Sequence, residues 1–334
     1  MAFLSKNGKT IRKIYFFTFI YSFTILIGCA TQHTTVSKNH LPISQQKTMK
    51  FSDKQYRIYE SNGKKTSLER IIYQIGLVHV VFLGEMHNDP VAHYLQNVIL
   101  QKTTDRYWNN AYASKRRQIV LSLEMFERDV QMILDEYLLN VIDEHHFLSC
   151  VRPWKNYYHD YHPLIQYAKK NNLKVLAANA PRRYVHRVAQ KGEKALDDLS
   201  TFAKNWIAPL PIKQPSAKMK KNFYAQKMGK LMISAHKDIS KTSHFIDAQN
   251  LWDATMAYSI HEIRSNTPKA LILHLNGYFH TLSGTGIPEH LAHYHPDVRM
   301  MVINILQNES FPKFNPQLKG SGDYVIITDP NIRR

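Results

Sequence analysis

The sequence predicts an α/β protein: a mostly parallel sheet flanked by helices, with a small helical insertion. Three observations carry that expectation. Short apolar runs rich in β-branched residues recur along the chain, and the first three are each followed by a helical pattern. Polar residues stand at the carboxyl ends of several of these runs. The chain has 334 residues and is 44% hydrophobic, enough for one large core.

The elements follow in order. Leu77-Val-His-Val-Val-Phe-Leu83 reads as the first strand and runs into Gly84-Glu85-Met86-His87. Asp89-Pro90 reads as a helix start, because Asp caps and Pro fits the first turn. Val91, Tyr94, Leu95, Val98 and Ile99 then share one helical face. Ile119–Leu123 is a second strand ending at Glu124, and a helix follows with Val130, Ile133, Leu134, Tyr137, Leu138 and Val141 on one side. Leu173–Ala178 is a third strand, ending at Asn179-Ala180-Pro181-Arg182, where a helix opens.

From Val188 to Ser243 the chain turns Lys-rich and is broken by Pro209, Pro211 and Pro215, with no convincing strand. The pattern returns to helix over Gln249–Arg264, with Trp252, Met256, Ile260 and Ile263 on a face. Ala270–Leu275 is a strand entering Asn276-Gly277-Tyr278-Phe279-His280, and Arg299–Leu306 and Tyr324–Thr328 supply two more. The expected architecture is an α/β domain of about six strands over 51–189 and 246–334, interrupted by a helical domain at 190–245.

The amino terminus bears on compartment. Lys6, Lys9, Arg12 and Lys13 precede an uncharged, mostly apolar run from Tyr15 to Gly28. That run is short for a membrane span of ~20 residues. It ends in Leu26-Ile27-Gly28-Cys29, which resembles a bacterial lipoprotein signal, with cleavage before Cys29 and lipid on its thiol. Ala30 after Cys29 resembles the sorting signal for the outer membrane. The expectation is a signal peptide at 1–28, a flexible polar tether at 29–50, and a lipid-anchored domain on the periplasmic side of the outer membrane.

The chain has two cysteines. With Cys29 lipidated, Cys150 has no partner for an intrachain disulfide, and its apolar neighbours suggest a buried thiol. No Cys-x-x-Cys-His motif is present, which excludes a c-type haem attachment. The net charge of +18 raises the question of an anionic partner, and four of the basic groups lie in the leader. Lys and Arg are otherwise diffuse, with no recognition-helix or RNA-binding motif, so nucleic acid is not an expected partner.

Ligands of open parallel sheets bind beyond the carboxyl ends of the strands. Glu85, His87, Glu124, Asn179, Arg182 and His280 all fall there. A carboxylate beside an imidazole orients a tautomer, binds metal, or serves acid and base steps. Glu85, His87, Glu124, Arg182 and His280 are therefore the catalytic candidates, with Arg182 gripping a carboxylate or phosphate. No His-Glu-x-x-His or thiolate cluster exists, so no metal ligand is assigned. The bland alternative is a buried Glu85–Arg182 ion pair bracing the sheet, with His87 a hydrogen-bonded core residue.

Gly284-Thr285-Gly286-Ile287-Pro288 lacks dinucleotide-fingerprint spacing and reads as a tight structural turn. The His and Tyr clusters at 145–146, 157–162 and 290–295 read mostly as surface, and Trp154 and Tyr161 as packing residues.

Several segments, taken together, resemble a family. Leu83-Gly-Glu-Met-His87 with Leu95-Gln96, Leu123-Glu-Met-Phe126 with Gln131, and Asn179-Ala-Pro-Arg182 come first. Ala248-Gln-x-x-Trp-Asp253-x-x-Met-Ala257, Gly277-x-x-His280 and Gly284-x-Gly-Ile-Pro288 follow in order. Behind a lipobox, they resemble the ChaN-like haem-binding uptake lipoproteins from about residue 75 to 306. The resemblance implies a parallel α/β domain with a small helical one, haem as cofactor, and a role in iron uptake beside an outer-membrane haem or iron receptor.

It also implies a homodimer enclosing two cofacial haems, with tyrosine on the iron and histidine of the partner subunit contacting haem. No motif places that tyrosine; Tyr158, Tyr184, Tyr224 and Tyr278 are the candidates. Met228, with Met219, Met232 and Phe223, offers an apolar porphyrin wall or, more plainly, the core of the helical domain. The family is distantly similar to erythromycin-esterase-like and Tiki-type proteins, which share a Gly-Glu-x-His turn and are linked to hydrolysis. In that alternative Glu85 and His87 activate water, Glu124 and His280 assist or hold a metal, and Arg182 binds an anionic group.

Overall fold

Alternate residues of one central strand enter two different cores. Val81 and Leu83 pack on one face and Val80 and Phe82 on the other, all with no exposed surface. A strand buried on both faces reads as continuously apolar, and helices must cover both sides of its sheet. The computed structural model describes residues 50–223 and 239–333.

The strands are β1 (Tyr56–Glu60), β2 (Val80–Glu85), β3 (Ile119–Glu127), β4 (Lys174–Asn179), β5 (Leu271–Gly277), β6 (Met300–Gln307) and β7 (Tyr324–Thr328). They form one seven-stranded sheet in the order β1-β7-β6-β2-β5-β3-β4. Every pairing is parallel except β1 with β7.

The helices α1 (Leu68–Ile75), α2 (Pro90–Thr104), α3 (Gln131–Leu138), α4 (Glu144–Val151) and α5 (His162–Lys170) follow the first three of these strands in the chain or precede them. They pack on the face that carries Val81, Leu123, Val175 and Leu273. Later helices are α6 (Arg182–Lys191), α7 (Thr201–Lys204), α8 (Ala217–Phe223), α9 (Ile239–Asn266) and α10 (Ile287–Tyr294). On the opposite face α9 contributes Met256, Ala257, Ile260 and Ile263, and α10 contributes Ile287 and Leu291. A third cluster joins Val185 and Val188 of α6 to Leu196, Ile207, Ile212 and to Ala248, Leu251 and Ala254 of α9.

Local chemistry sets the element ends. Asp89 caps α2 by accepting from the Val91 amide at 2.9 Å, with Pro90 in the first turn. Its other oxygen accepts from the Thr328 hydroxyl at 2.6 Å, tying α2 to the last strand.

Three expectations are corrected. The sheet has a seventh strand, β1, at its edge; only Ile58 and Tyr59 in it are buried, so it carries little apolar signal. The helix expected through Val141 breaks after Leu138: Asn140 turns with φ 59°, Val141 is exposed, and Asp143 caps a separate helix through the His146 amide. That helix buries Phe147 and Val151 and leaves Cys150 exposed, not buried. The lipobox, Cys29 and most of the tether lie outside the described residues, as do Tyr224, Met228 and Met232. Met219 is buried.

Gly84 is required by close approach. A Cβ there would lie 2.4 Å from Asn304 Oδ1 and 2.9 Å from the Tyr278 Cα, a backbone atom with little room to yield. Gly84→Ala is expected to lower unfolding free energy by about 1–3 kcal/mol, read from urea denaturation. A midpoint equal to that of the unsubstituted protein would show that the crossing of β2 and the 278 turn is not this tight.

Candidate functional site

β2 and β5 are parallel neighbours, but the helices after them depart to opposite faces. α2 packs with one core and α10 with the other. Such divergence opens a crevice at the carboxyl ends of the strands. Glu85 ends β2, with His87 two residues on; Gly277 ends β5, with His280 three residues on; and Glu124 projects from β3, the other neighbour of β5. β3 changes register here: Leu123 faces Ala177 and Glu127 faces Asn179, so β3 spends four residues where β4 spends two. The irregularity spans Glu124.

Glu85 is buried and fully engaged. Its Oε1 lies 2.8 Å from His87 Nδ1 and accepts from the Tyr161 hydroxyl at 2.5 Å. Its Oε2 accepts from Gln96 Nε2 at 2.5 Å and lies 3.4 Å from His93 Nδ1. Burial pushes the carboxyl up, but His93, His87 and the Tyr161 hydroxyl outweigh it and hold Glu85 below its ordinary value. Burial and the Glu85 charge push the Tyr161 hydroxyl far up, so it stays a donor.

The turn itself is pinned. His93 Nε2 stands 3.1 Å from the His87 carbonyl, and Asn156 Nδ2 donates to the same oxygen at 2.9 Å. Burial lowers the His87 pKa, while the hydrogen bond to Glu85 and the charge of Glu124 raise it by more. The His87 side chain is 43% exposed, and Nε2 makes no hydrogen bond among the described residues.

The second cluster centres on a buried histidine. His280 Nδ1 lies 2.5 Å from Asp253 Oδ1 and Nε2 lies 3.3 Å from Glu124 Oε1. Burial works against the cation, yet Glu124 and Asp253 raise the His280 pKa to about 10. Glu124 is lowered to about 2: burial opposes this, and His280, His87 and the Gly277 amide overcome it. That amide donates to Glu124 Oε2 at 2.7 Å, while Asn179 Nδ2 donates to the Glu124 carbonyl at 3.0 Å. Burial raises Asp253. Gly286 makes the arrangement possible: its φ is +68°, and a Cβ there would lie 2.3 Å from the His280 carbonyl.

Both clusters border one cleft of about 920 Å³, which His87, Glu124 and His280 line together with Met125, Trp154, Trp252, Lys155, Arg182 and Arg183. Trp154 packs edge-on to His87 with centroids 4.7 Å apart, and Trp252 approaches His280 at 6.3 Å. Arg152 is paired with Glu127 and Asp129, and Arg183 with Asp129. Arg182 and Lys155 form no ion pair among the described residues.

The structure thus brings Glu85, His87, Glu124 and His280 together, with Arg182 on the rim. Arg182 is exposed and does not pair with Glu85, which corrects the buried-ion-pair alternative. Tyr184 follows two rim arginines on α6, with the Arg183 guanidinium 4.4 Å above its ring. Tyr158 packs beside Tyr157 and His162, Tyr278 is half-buried beneath β2, and none of the three tyrosines lines the cleft. His290 is buried against Asn250 at 2.8 Å, not on the surface.

Sequence reasoning gave no role to His93, Gln96, Asn156, Gln249 or Asp253. Gln249 and Asp253 are four apart on a largely apolar helix, and that polar pair was an available signal. Tyr161 packs as expected but is also a hydrogen-bond donor to Glu85. Among the described residues, the group able to close on a metal ion is exposed Asp143, His145 and His146 on α4 and its cap, not the rim.

Comparison with known proteins follows this geometry. The profile of the family described as haem-binding uptake, Tiki superfamily, ChaN matches residues 71–291. A solved structure reported as cofacial heme binding to ChaN of Campylobacter jejuni superposes with TM-score 0.64 at 20% identity, covering 83% of this chain and 98% of that one. That likeness establishes a shared fold. An erythromycin esterase, EreC, in its open conformation gives TM-score 0.40 at 12% identity, over 83% of this chain and 84% of that one. Protein RETICULATA-RELATED 5, chloroplastic, of Arabidopsis thaliana is 27% identical over 120 residues, which is 36% of this chain and 16% of that protein.

The His280 cluster sets a pH dependence. The folded pKa of His280 is raised from 6.5 to about 10, so its stabilisation is complete below pH 6.5 and lost as pH rises through 10. Glu124 is lowered from 4.5 to about 2, so its contribution is present above pH 4.5 and lost as pH falls through 2. Thermal denaturation should show greatest stability between these limits. His280→Gln should lower Tm at pH 6 and flatten the alkaline limb. A Tm for the unsubstituted protein that stays constant from pH 6.5 to 10 would contradict a charged His280.

Proposed function

The chain belongs to the ChaN haem-binding uptake family of the Tiki superfamily, and from that membership we propose that it holds haem during iron acquisition. In this reading it works at the outer membrane, on the periplasmic side, anchored by lipid on Cys29 and receiving haem from an outer-membrane receptor. The family match over residues 71–291 carries the reading, because it spans β2 to α10 and hence both rim clusters.

The cleft residues suit a porphyrin. Trp154, Trp252 and Met125 offer an apolar surface, and Arg182 and Lys155 offer cations without carboxylate partners to two propionates. Haem supplies an iron that takes an axial oxygen or nitrogen donor. Of the described tyrosine candidates Tyr184 is taken as the ligand because it follows the cleft residues Arg182 and Arg183 on α6, although its ring packs against the third core cluster. A second copy of the chain, facing the open side, completes a homodimer around haem, in line with the cofacial haems of the Campylobacter protein.

Titrating haem into the protein should give a saturable Soret change, and its absence at micromolar haem would sink the reading. Tyr184→Phe should shift the band and weaken binding by about tenfold or more, while Tyr158→Phe and Tyr278→Phe leave it in place.

One observation favours a second reading, Glu/His-dependent hydrolysis. His87 Nδ1 is tied to Glu85, and Nε2 is left without a hydrogen bond beside the cleft. Glu85 then fixes the tautomer, and Nε2 takes a proton from the water that attacks the ester or amide carbonyl. On a panel of esters and amides, His87→Gln should cut turnover by about a hundredfold and Tyr184→Phe should not. Turnover that survives His87→Gln would remove this reading.

A further inference from the structure

We propose that the amino-terminal pole of the sheet, opposite the cleft, is a phosphate-binding site built from Arg117, Arg264 and Arg299. The three come together because the sheet puts their segments side by side. Arg299 immediately precedes β6, His79 precedes β2, Ala270 precedes β5, and Arg117 lies two residues before β3, and those strands are consecutive neighbours in the order β6-β2-β5-β3. Arg264 arrives from the last turn of α9.

Backbone carbonyls hold the guanidinium groups. Arg117 donates from Nη1 to the Gly76 and Val78 carbonyls at 3.1 and 2.7 Å, and from Nη2 to Ala270 O at 3.1 Å. Arg264 Nη1 donates to the same Ala270 oxygen at 3.2 Å. Arg299 Nε donates to Leu77 O at 2.8 Å, between the two carbonyls that Arg117 holds. Two cations therefore converge on one oxygen and the third sits on the adjoining turn.

Their charge is not answered within the described residues. None of the three forms an ion pair there, although Arg128, Arg152, Arg183 and Arg187 all do. Three like charges gathered around carbonyls repel one another unless an anion joins them. The donors are not exhausted either. Arg264 is 5% exposed, and its Nε is buried without a hydrogen-bond partner. Neither terminal nitrogen of exposed Arg299 makes a hydrogen bond there.

Carbonyl capping alone accounts for the bonds that are made. It does not account for a buried guanidinium N–H left unpaired among three uncompensated cations. The unbonded terminal nitrogens of exposed Arg299, backed by the charge of Arg117 and Arg264, match an anion with several oxygens, which points to a phosphate mono- or diester. The electrostatics agree in sign: burial, then Arg264, Arg299 and Arg117, lower the His79 pKa to about 4, so the imidazole beside the cluster stays neutral and leaves the site to the arginines.

The test uses the full chain and two probes. Inorganic phosphate, titrated at constant ionic strength against chloride, should raise Tm saturably. Arg299→Gln should weaken that response by about tenfold, because Arg299 is exposed and its loss leaves the Arg117 and Arg264 capping bonds intact. Lys313→Gln, which removes one exposed charge beyond the carboxyl end of β6, should behave like the unsubstituted protein.

Co-flotation with phosphatidylglycerol or phosphatidylcholine vesicles separates the sources. Arg299-dependent binding to the anionic vesicles, without saturation by inorganic phosphate, assigns the site to a lipid headgroup; saturation by inorganic phosphate assigns it to a soluble ester. Equal responses to phosphate and chloride, with vesicle binding indifferent to Arg299→Gln, would overturn the proposal.

Discussion

Burying a carboxylate is expensive unless hydrogen bonds and an opposite charge replace the lost water, and this protein buries Glu85, Glu124 and Asp253 at the crest of one sheet. Much of the surrounding structure answers that constraint. Tyr161, Gln96, His87 and His93 gather on Glu85, while His280 stands between Glu124 and Asp253. These partners come from α2, the 157–161 turn, α9 and the loop after β5. Their placement depends on the two apolar cores that hold those elements against opposite faces of the sheet. Packing and polar chemistry are thus not separate layers: the cores fix the elements, and the elements deliver the partners that hold Glu85 and Glu124 below their ordinary pKa despite burial.

The two clusters differ in what they leave available. His280 is closed in on both ring nitrogens by carboxylates, so its charge is a fixed feature of the cleft wall. Among the described residues His87 is hydrogen-bonded at one ring nitrogen only, and its side chain is half-exposed. A fixed cation beside an oriented imidazole, between two indoles, is compatible with gripping an anionic aromatic ligand and with moving a proton. The two proposed readings, haem binding and hydrolysis, draw on the same wall for that reason.

Much of the sheet was legible because its central strands are buried on both sides and must be apolar along their length. The rim was legible for a related reason: Glu85, Glu124, Asn179 and His280 interrupt apolar runs where a parallel sheet opens its crevice. β1 was not, because a half-exposed edge strand such as Tyr-Arg-Ile-Tyr-Glu carries no such run. The partners His93, Gln96, Asp253 and Tyr161 were hidden by distance along the chain. Gln96 reaches Glu85 over 11 residues and Tyr161 over 76, and neither spacing belongs to any local motif. Cys150 misled because neighbours in sequence point in different directions around a helix: Phe147 and Val151, four apart, face inward, while Cys150 faces solvent. The arginine pole left no trace at all, since Arg117, Arg264 and Arg299 lie on separate segments that only the fold makes adjacent.

The pairing of β1 with β7 has a consequence for the order in which the molecule can be finished. Among the described residues β1 pairs with β7 alone, so it joins the sheet only once a segment more than 250 residues further along the chain is in place. The same last strand carries Thr328, whose hydroxyl holds the Asp89 cap of α2, and α2 delivers the His93 and Gln96 that secure Glu85. Asp89 caps α2 through the Val91 amide on its own, and the Thr328 hydroxyl adds a long-range tie to the same carboxylate. Part of what secures the Glu85 cluster is therefore a contact between residues 239 apart in the chain, which forms after the local contacts around it.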